Sequence, residues 1–401
     1  MWQKNVRYLD YNAGSGLSAS VQNKLKEVLS DDSLFWANPS SRHRPGQKIQ
    51  HLLYQATLKI AASMGPAISP DELVFTSSGT EASQTVIRSG LEGVSATSAG
   101  AVVIGAGEHS ASHDLLNEIR EKNPFTRELP LLPNGEYDLA RLAEFFSEAR
   151  ALGIKHVFVS LFWANNETGV LTDLDALKCV ISESGLSVLL HLDAAQVWGK
   201  IPLDLAATPA QFVTFSAHKI GAPAGSGVIW MRPGQTLRPL FPGSQSRGLR
   251  AGTENTLGIL SMGYACESLD PHAFIARTGT LRDAFEPALI ESGIPVKIWG
   301  RSSKRVSNTS RFSLTSFRTY ENWVELLDLK GYAVSHGSAC KAQVIEPSRV
   351  LLAMGASRED ALNSIRVSFG PSNTMDDVNG LIEALKSIYR AKVMPTNEVR
   401  P

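Results

Sequence analysis

Val188-Leu189-Leu190-His191-Leu192-Asp193-Ala194-Ala195-Gln196 and, a little further on, Phe212-Val213-Thr214-Phe215-Ser216-Ala217-His218-Lys219 share one layout. Each is an apolar run that ends in polar residues able to do chemistry. Runs of this length without polar alternation read as strands covered on both faces. The same layout recurs outward at Leu73 to Thr76, Ala101 to Gly105, His156 to Phe162 and Gly227 to Met231. Helical patterns lie between them at Glu81 to Glu92, Asp114 to Lys122, Leu139 to Leu152 and Leu174 to Glu183. Strands and helices in alternation predict an α/β fold with a mostly parallel sheet and helices on both faces. Beyond the glycine-rich Gly248 to Gly258 segment the pattern changes. Helices (Ala273 to Ser292, Glu321 to Lys330, Pro347 to Met354, Met375 to Ala391) alternate with strands (Val306 to Leu314, Ala333 to Ser335, Ile365 to Phe369), which predicts a smaller α+β domain.

Composition removes several classes. The 401 residues are 43% hydrophobic and 19% charged, which fits a globular chain rather than a disordered one. Lys plus Arg and Asp plus Glu are 39 each, so no basic excess points to nucleic acid or an anionic membrane surface. The first ten residues hold no apolar signal region, and no apolar stretch approaches the roughly 20 residues of a membrane span. A cytoplasmic location is therefore expected. Three cysteines cannot frame a chain this long, and Cys179, Cys266 and Cys340 lack the close spacing of metal ligands. Cys179 and Cys266 fall on amphipathic helices and read as small buried apolar residues. Cys340 lies in Ser335-His336-Gly337-Ser338-Ala339-Cys340-Lys341, where small residues and cations suit an accessible thiolate.

Ligands of open α/β sheets bind beyond the carboxyl ends of the strands. Five consecutive predicted strand ends carry Thr-Ser-Ser-Gly-Thr-Glu (76 to 81), Gly-Glu-His (107 to 109), Trp-Ala-Asn-Asn-Glu-Thr-Gly (163 to 169), Asp193 to Gln196, and Ser216 to Lys219. Taken singly, each has a plain reading. Ser78 and Glu81 fit a capping box, Asp193 an N-cap, Lys219 a solvated lysine, and His109 and His218 structural hydrogen-bonders. Taken together they predict one site, with the free N–H groups at Gly79 and Thr80 placed for a phosphate.

These segments resemble the pyridoxal-phosphate cysteine desulfurases of the NifS/IscS type, within the fold-type I, class V aminotransferases. The carriers are Y-L-D-Y-N-A (8 to 13), N-P-S-S-R-H-R-P-G (38 to 46), F-T-S-S-G-T-E-A (75 to 82), G-E-H (107 to 109), N-N-E-T-G (165 to 169), H-L-D-A-A-Q (191 to 196), S-A-H-K (216 to 219), R-A-G-T-E-N (250 to 255), G-S-A-C (337 to 340) and S-I-R-V-S-F-G (364 to 370). The resemblance implies a large cofactor domain over 15–258 and a small domain of 1–14 with 259–401. It implies that Lys219 holds the cofactor aldehyde, Asp193 partners the pyridinium nitrogen, Gln196 donates to the phenolate oxygen and His109 stacks on the ring and moves a proton. Gly79, Thr80, Ser216 and His218 then cradle the phosphate, helped by Thr253 from the second copy of a homodimer. Asn166 and Arg366 clamp the carboxylate of L-cysteine, and Cys340 takes its sulfur as a persulfide for a protein acceptor, as in iron–sulfur cluster assembly. The same motifs also fit a related lyase, for example on selenocysteine, or a catalytically weak sulfur-transfer scaffold. The chain departs from the family pattern at Tyr11, at Phe241 to Ser246, at Ala224, at His336 and at Pro371.

Overall fold

The computed structural model describes residues 6–34, 36–95, 100–336 and 346–393. In chain order its strands are β1 (Arg7–Tyr8), β2 (Leu73–Thr76), β3 (Gly100–Gly105), β4 (Thr126–Leu129), β5 (His156–Phe162), β6 (Ser187–Asp193), β7 (Phe212–Ser216) and β8 (Gly227–Met231), followed by β9 (Val296–Trp299), β10 (Thr309–Leu314), β11 (Tyr332–Ala333) and β12 (Ser364–Ser368). Seven of them form one sheet in the order β2-β8-β7-β6-β5-β3-β4. Only β8 runs against its neighbours. The mostly parallel α/β sheet expected from the apolar runs is present.

Both faces of that sheet are covered, which is why its strands read as unbroken apolar runs; the first three helices are α1 (Ala19–Leu29), α2 (Arg44–Ala62) and α3 (Gly79–Ser95). Val102, Ile104, Phe158 and Phe212 face one core, where helix α3 (Gly79–Ser95) contributes Val86, Ile87 and Leu91. Ala101, Val103, Val157, Val159, Leu190 and Val213 face the other, filled from helix α2 (Arg44–Ala62) by Ile49, Leu53 and Ile60. Each such aliphatic side chain removed from water contributes about 1.5–3 kcal/mol. A third core gathers Leu9, Phe285, Phe312, Trp323, Ile365, Val367, Phe369 and Leu385 around a three-stranded antiparallel sheet, β12-β10-β9.

Alternation in that smaller sheet decides where the site is. Phe312, Leu314, Ile365 and Val367 point into the third core. The opposite face, Thr309, Arg311, Ser313, Ser364, Arg366 and Ser368, is polar and yet buried. It is buried against the loops at the strand ends of the large sheet, so Arg366 and Arg311 reach those loops.

Several elements were not legible. β4 (T-R-E-L) and β9 (V-K-I-W) are short edge strands with mixed polarity. The helix of Cys266, expected to be amphipathic, runs over Thr256–Glu267 and is apolar all round instead, because it is buried against α2, where Gly263 lies so close to Ala56 that a Cβ would come within 2.8 Å. β10 begins three residues later than expected. The preceding chain pairs instead with loops of the large sheet, as Arg305 bridges to Val170 and Val306 donates to the Gly169 carbonyl. Cys179 is exposed on the solvent side of its helix, which corrects the expectation of burial. Cys266 is buried as expected, and burial pushes its thiol up to about 12. Cys340 lies outside the described residues.

Two glycines of α3 separate packing from helix propensity. A Cβ on Gly90 would sit 2.3 Å from the ring of buried Phe158, whereas a Cβ on Gly93 meets nothing within 4 Å. Gly90→Ala is expected to destabilise by about 1–3 kcal/mol through overpacking. Gly93→Ala, on the same helix, is expected to stabilise by up to about 1 kcal/mol. Urea unfolding midpoints of the two variants, moving in opposite directions, check this.

Candidate active site

The carboxyl ends of β2, β6 and β7 converge. α3 starts immediately after β2, and Gly79 packs on Ser216 at the end of β7, where a Cβ would meet Ser216 at 3.0 Å. Ser216 Oγ is 2.8 Å from His218 Nδ1. Burial, then the nearby Lys219 charge, lowers His218 to about 4, so this ring is neutral near pH 7. Thr80 is exposed in the first turn of α3. The expected capping box is shifted by one residue: Ser78 Oγ accepts the Glu81 N–H at 3.1 Å, while the Glu81 carboxylate accepts the N–H of Ser77 at 2.7 Å. Burial opposes ionisation of Glu81, but bonds from Arg250 and Ser77 outweigh it and hold the carboxyl below its usual range. Arg250 thereby ties its loop to the start of α3, and Asn255 ties the far side to the Gly225 carbonyl. Thr253 lies exposed between these two anchors, with no hydrogen bond to the other site residues among those described.

Three titratable groups face one another at the centre. Asp193, at the end of β6, accepts the Ala195 N–H at 2.9 Å, and burial raises its pKa against the pull of His109 and Lys219. His109 caps the short helix Ser110–His113, its Nδ1 accepting from Ala111 at 3.1 Å. The protein packed around that ring lowers its pKa, Asp193 opposing. The ammonium of Lys219 donates to the main-chain carbonyls of Asn12 at 2.5 Å and Ala13 at 3.0 Å. Burial first, and Arg366 second, bring Lys219 down to about 8. An amine so tuned is an available nucleophile near neutral pH.

The remaining residues join through Asn12, which the sequence reading did not single out. Gln196 Nε2 donates to the Asn12 carbonyl at 3.0 Å. Asn12 Nδ2 donates to the Asn166 carbonyl at 3.2 Å, and Arg366 Nη1 to the same carbonyl at 3.0 Å. Arg366 Nη2 also pairs with Asp10 at 2.6 Å. Asn166 therefore meets Arg366 through its main chain rather than its side chain. The Y-L-D-Y-N-A segment carried the signal for Asp10 and Asn12, but without roles. Its odd Tyr11 has a local cause: the ring packs on Gly370, where any Cβ would sit 2.2 Å from it, and its hydroxyl is 2.5 Å from Ser372 Oγ.

Glu108, beside His109, was also missed. It is buried, Tyr137 donates to its Oε1 at 2.6 Å, and its Oε2 has no hydrogen-bond partner among the described residues. Burial raises its pKa to about 8, against the Tyr137 bond and with help from Asp193, so the folded chain holds a proton here that the unfolded chain, with a pKa near 4.3, does not. Stability must therefore fall as pH rises between those values, by up to about 1.4 kcal/mol per pH unit. Glu108→Gln, a neutral isostere, is expected to flatten that part of the slope in urea unfolding of the cofactor-free chain from pH 5 to pH 8.

This arrangement matches known proteins over nearly its whole length. The family model described as aminotransferase class-V matches residues 7–381. A cysteine desulfurase of Enterobacter agglomerans is 34% identical over 387 residues, which cover 96% of this chain and 92% of that protein. A cysteine desulfurase IscS of Dictyoglomus turgidum is 32% identical, covering 96% and 95%. The solved structure of a NifS-like protein from Rickettsia africae is similar at a TM-score of 0.83 and 26% identity, over 96% of this chain and 99% of that one. With a family model spanning the large sheet, the small sheet and the cluster between them, the chain belongs to the class-V aminotransferases.

Proposed function

We propose that the chain is a pyridoxal-phosphate-dependent cysteine desulfurase that converts L-cysteine to L-alanine and leaves the sulfur as a persulfide on Cys340. The observation that carries this reading is the meeting of Lys219, its amine lowered to about 8, with Asp193, His109 and the start of α3. That donor set fits the cofactor group by group. Asp193 is a carboxylate in an unfavourable, desolvated place, which a protonated ring nitrogen would relieve. Gly79 leaves room beside Ser216 and His218, and the α3 N-terminus favours a phosphate. Lys219 would hold the aldehyde carbon, Gln196 the phenolate oxygen, and Thr80, with Thr253 from a second copy, the remaining phosphate oxygens.

Pyridoxal phosphate, when bound, supplies an electron sink for bonds at the substrate's α-carbon. Arg366 binds the substrate carboxylate by its guanidinium fork, flanked by Asn166. Lys219, its amine lowered to about 8, and His109, its imidazole lowered by the protein packed around it, carry protons at their Nζ and imidazole nitrogens. The balance is L-cysteine plus the Cys340 thiol giving L-alanine plus the Cys340 persulfide. The carbon–sulfur bond of the substrate breaks, a sulfur–sulfur bond forms, and the alanine methyl gains the proton.

The reading also takes the chain as a homodimer of two-domain subunits, divided into 15–258 and 1–14 with 259–401, acting in the cytoplasm on a protein sulfur acceptor. The separate third core and its inclusion of Leu9 support that division. No helix among the described residues is long and apolar enough to cross a membrane.

The test is sulfide and alanine release from L-cysteine with added pyridoxal phosphate and a thiol reductant. The full chain is expected to release both in equal amounts. Cys340→Ser is expected to lose at least about a hundredfold in sulfide, and Lys219→Ala at least about a hundredfold in both products. Equal sulfide from Cys340→Ser overturns the persulfide assignment and leaves a lyase that does not use this cysteine.

A further inference from the structure

Lys200 is buried, 3% exposed, and among the described residues it has no carboxylate partner. Its ammonium donates to Gln196 Oε1 at 2.7 Å and to Asn12 Oδ1 at 2.6 Å. Burial, then Lys219 and Arg366, disfavour its charge. A lysine held this way lowers stability relative to an apolar side chain of similar length. Packing alone gives no reason for it, so its effect must lie in what it orients.

The two ends of an amide side chain have nearly the same shape and differ only in polarity. The Lys200 nitrogen donates in both contacts, with three hydrogens as an ammonium or two as an amine, and both acceptors are amide oxygens. By occupying Gln196 Oε1, Lys200 turns Gln196 Nε2 the other way, to the Asn12 carbonyl at 3.0 Å, the carbonyl that also receives Lys219. One Nε2 hydrogen is used there and the second remains for a ligand. On Asn12, Lys200 and Asn308 both donate to Oδ1, so Nδ2 faces Thr309 Oγ1 at 2.8 Å and the Asn166 carbonyl that receives Arg366. One interior side chain thus sets the polarity of two amides around Lys219.

We propose that Lys200 is a positioning residue: from the interior it fixes the orientation of the Gln196 and Asn12 amides and so presents the Gln196 NH2 to the cofactor site. Its consequence for cofactor binding rests on the reading of Gln196 given above; its effect on the amides does not.

The experiment uses the full chain as wild type, Lys200→Met, Gln196→Ala and the double variant. In the cofactor-free protein labelled with side-chain 15N-glutamine, the Gln196 NH2 pair is assigned by its loss in Gln196→Ala. Its proton exchange is expected to be slowed at least about tenfold against exposed glutamines in the wild type, and to lose that protection in Lys200→Met. Lys200→Met is expected to unfold at the same or higher urea concentration than wild type. Titrated with pyridoxal phosphate, Lys200→Met is expected to bind about tenfold more weakly. Adding Lys200→Met to Gln196→Ala should then change binding less than about twofold. Unaltered protection of the Gln196 NH2, additive losses in the double variant, or failure of Lys200→Met to fold where Gln196→Ala folds would each overturn the proposal. A wild type that binds no pyridoxal phosphate sinks the desulfurase reading instead, and the exchange measurement still decides the role of Lys200.

Discussion

Asn12 has every polar group of its main chain and side chain at work in the interior. Its N–H donates to Ser368 Oγ, its Nδ2 to Thr309 and Asn166, while its carbonyl accepts from Gln196 and Lys219 and its Oδ1 from Lys200 and Asn308. These partners come from β7's end, from the turn after β6, from the loop after β5 and from strands β10 and β12 of the small sheet. A buried amide left unmet costs about 1–3 kcal/mol per group, so the two sheets cannot separate or slide without losing several such bonds at once. The N-terminal segment is thereby trapped as a shared layer between them, and Asp10 comes along to meet Arg366.

That constraint explains which parts of the molecule could be read from the sequence. The strands at Leu73, Ala101, His156, Ser187, Phe212 and Gly227 were legible because each is buried on both faces and so carries a local apolar signature. Lys219, Asp193, His109 and Gly79 were legible because they sit at the ends of those strands. Asn12, Lys200 and Glu108 were not, since the contacts of each are completed by partners well separated in sequence. The Lys200 ammonium reaches across 188 positions to Asn12, and Asn308 across 296. Polarity pattern also misled: the helix of Cys266 reads as amphipathic yet is apolar all round, and Cys179 looked buried yet faces solvent.

The electrostatics of the site follow from the same layering. Lys219 and Asp193 both lie where charge is disfavoured, and each moderates the other. Arg366 adds a fixed cation that pushes Lys219 down, and Asp10 partly cancels it. The lysine thus reaches about 8 with no adjacent ion-pair partner among the described residues. Its hydrogen bonds go to main-chain carbonyls, which accept from an ammonium or a neutral amine alike and therefore leave the amine free to change its charge.

The small sheet carries the remaining cost. Arg311 and Arg366 stand directly opposite each other on β10 and β12, on the same buried face. Like charges so placed repel. The fold answers with a carboxylate on each side: Asp10 takes Arg366, and Glu167 lies 3.4 Å from Arg311 while accepting a bond from Ser348 at 2.6 Å. Because Glu167 follows Asn166 directly, the counter-charge that Arg311 needs also fixes the main chain whose carbonyl Arg366 uses. Charge balance in the small sheet and the setting of Arg366 are therefore one requirement, met by Asp10 together with three residues of a single loop, Asn165, Asn166 and Glu167, with Asn165 Oδ1 accepting the Glu167 N–H at 2.9 Å to hold the turn.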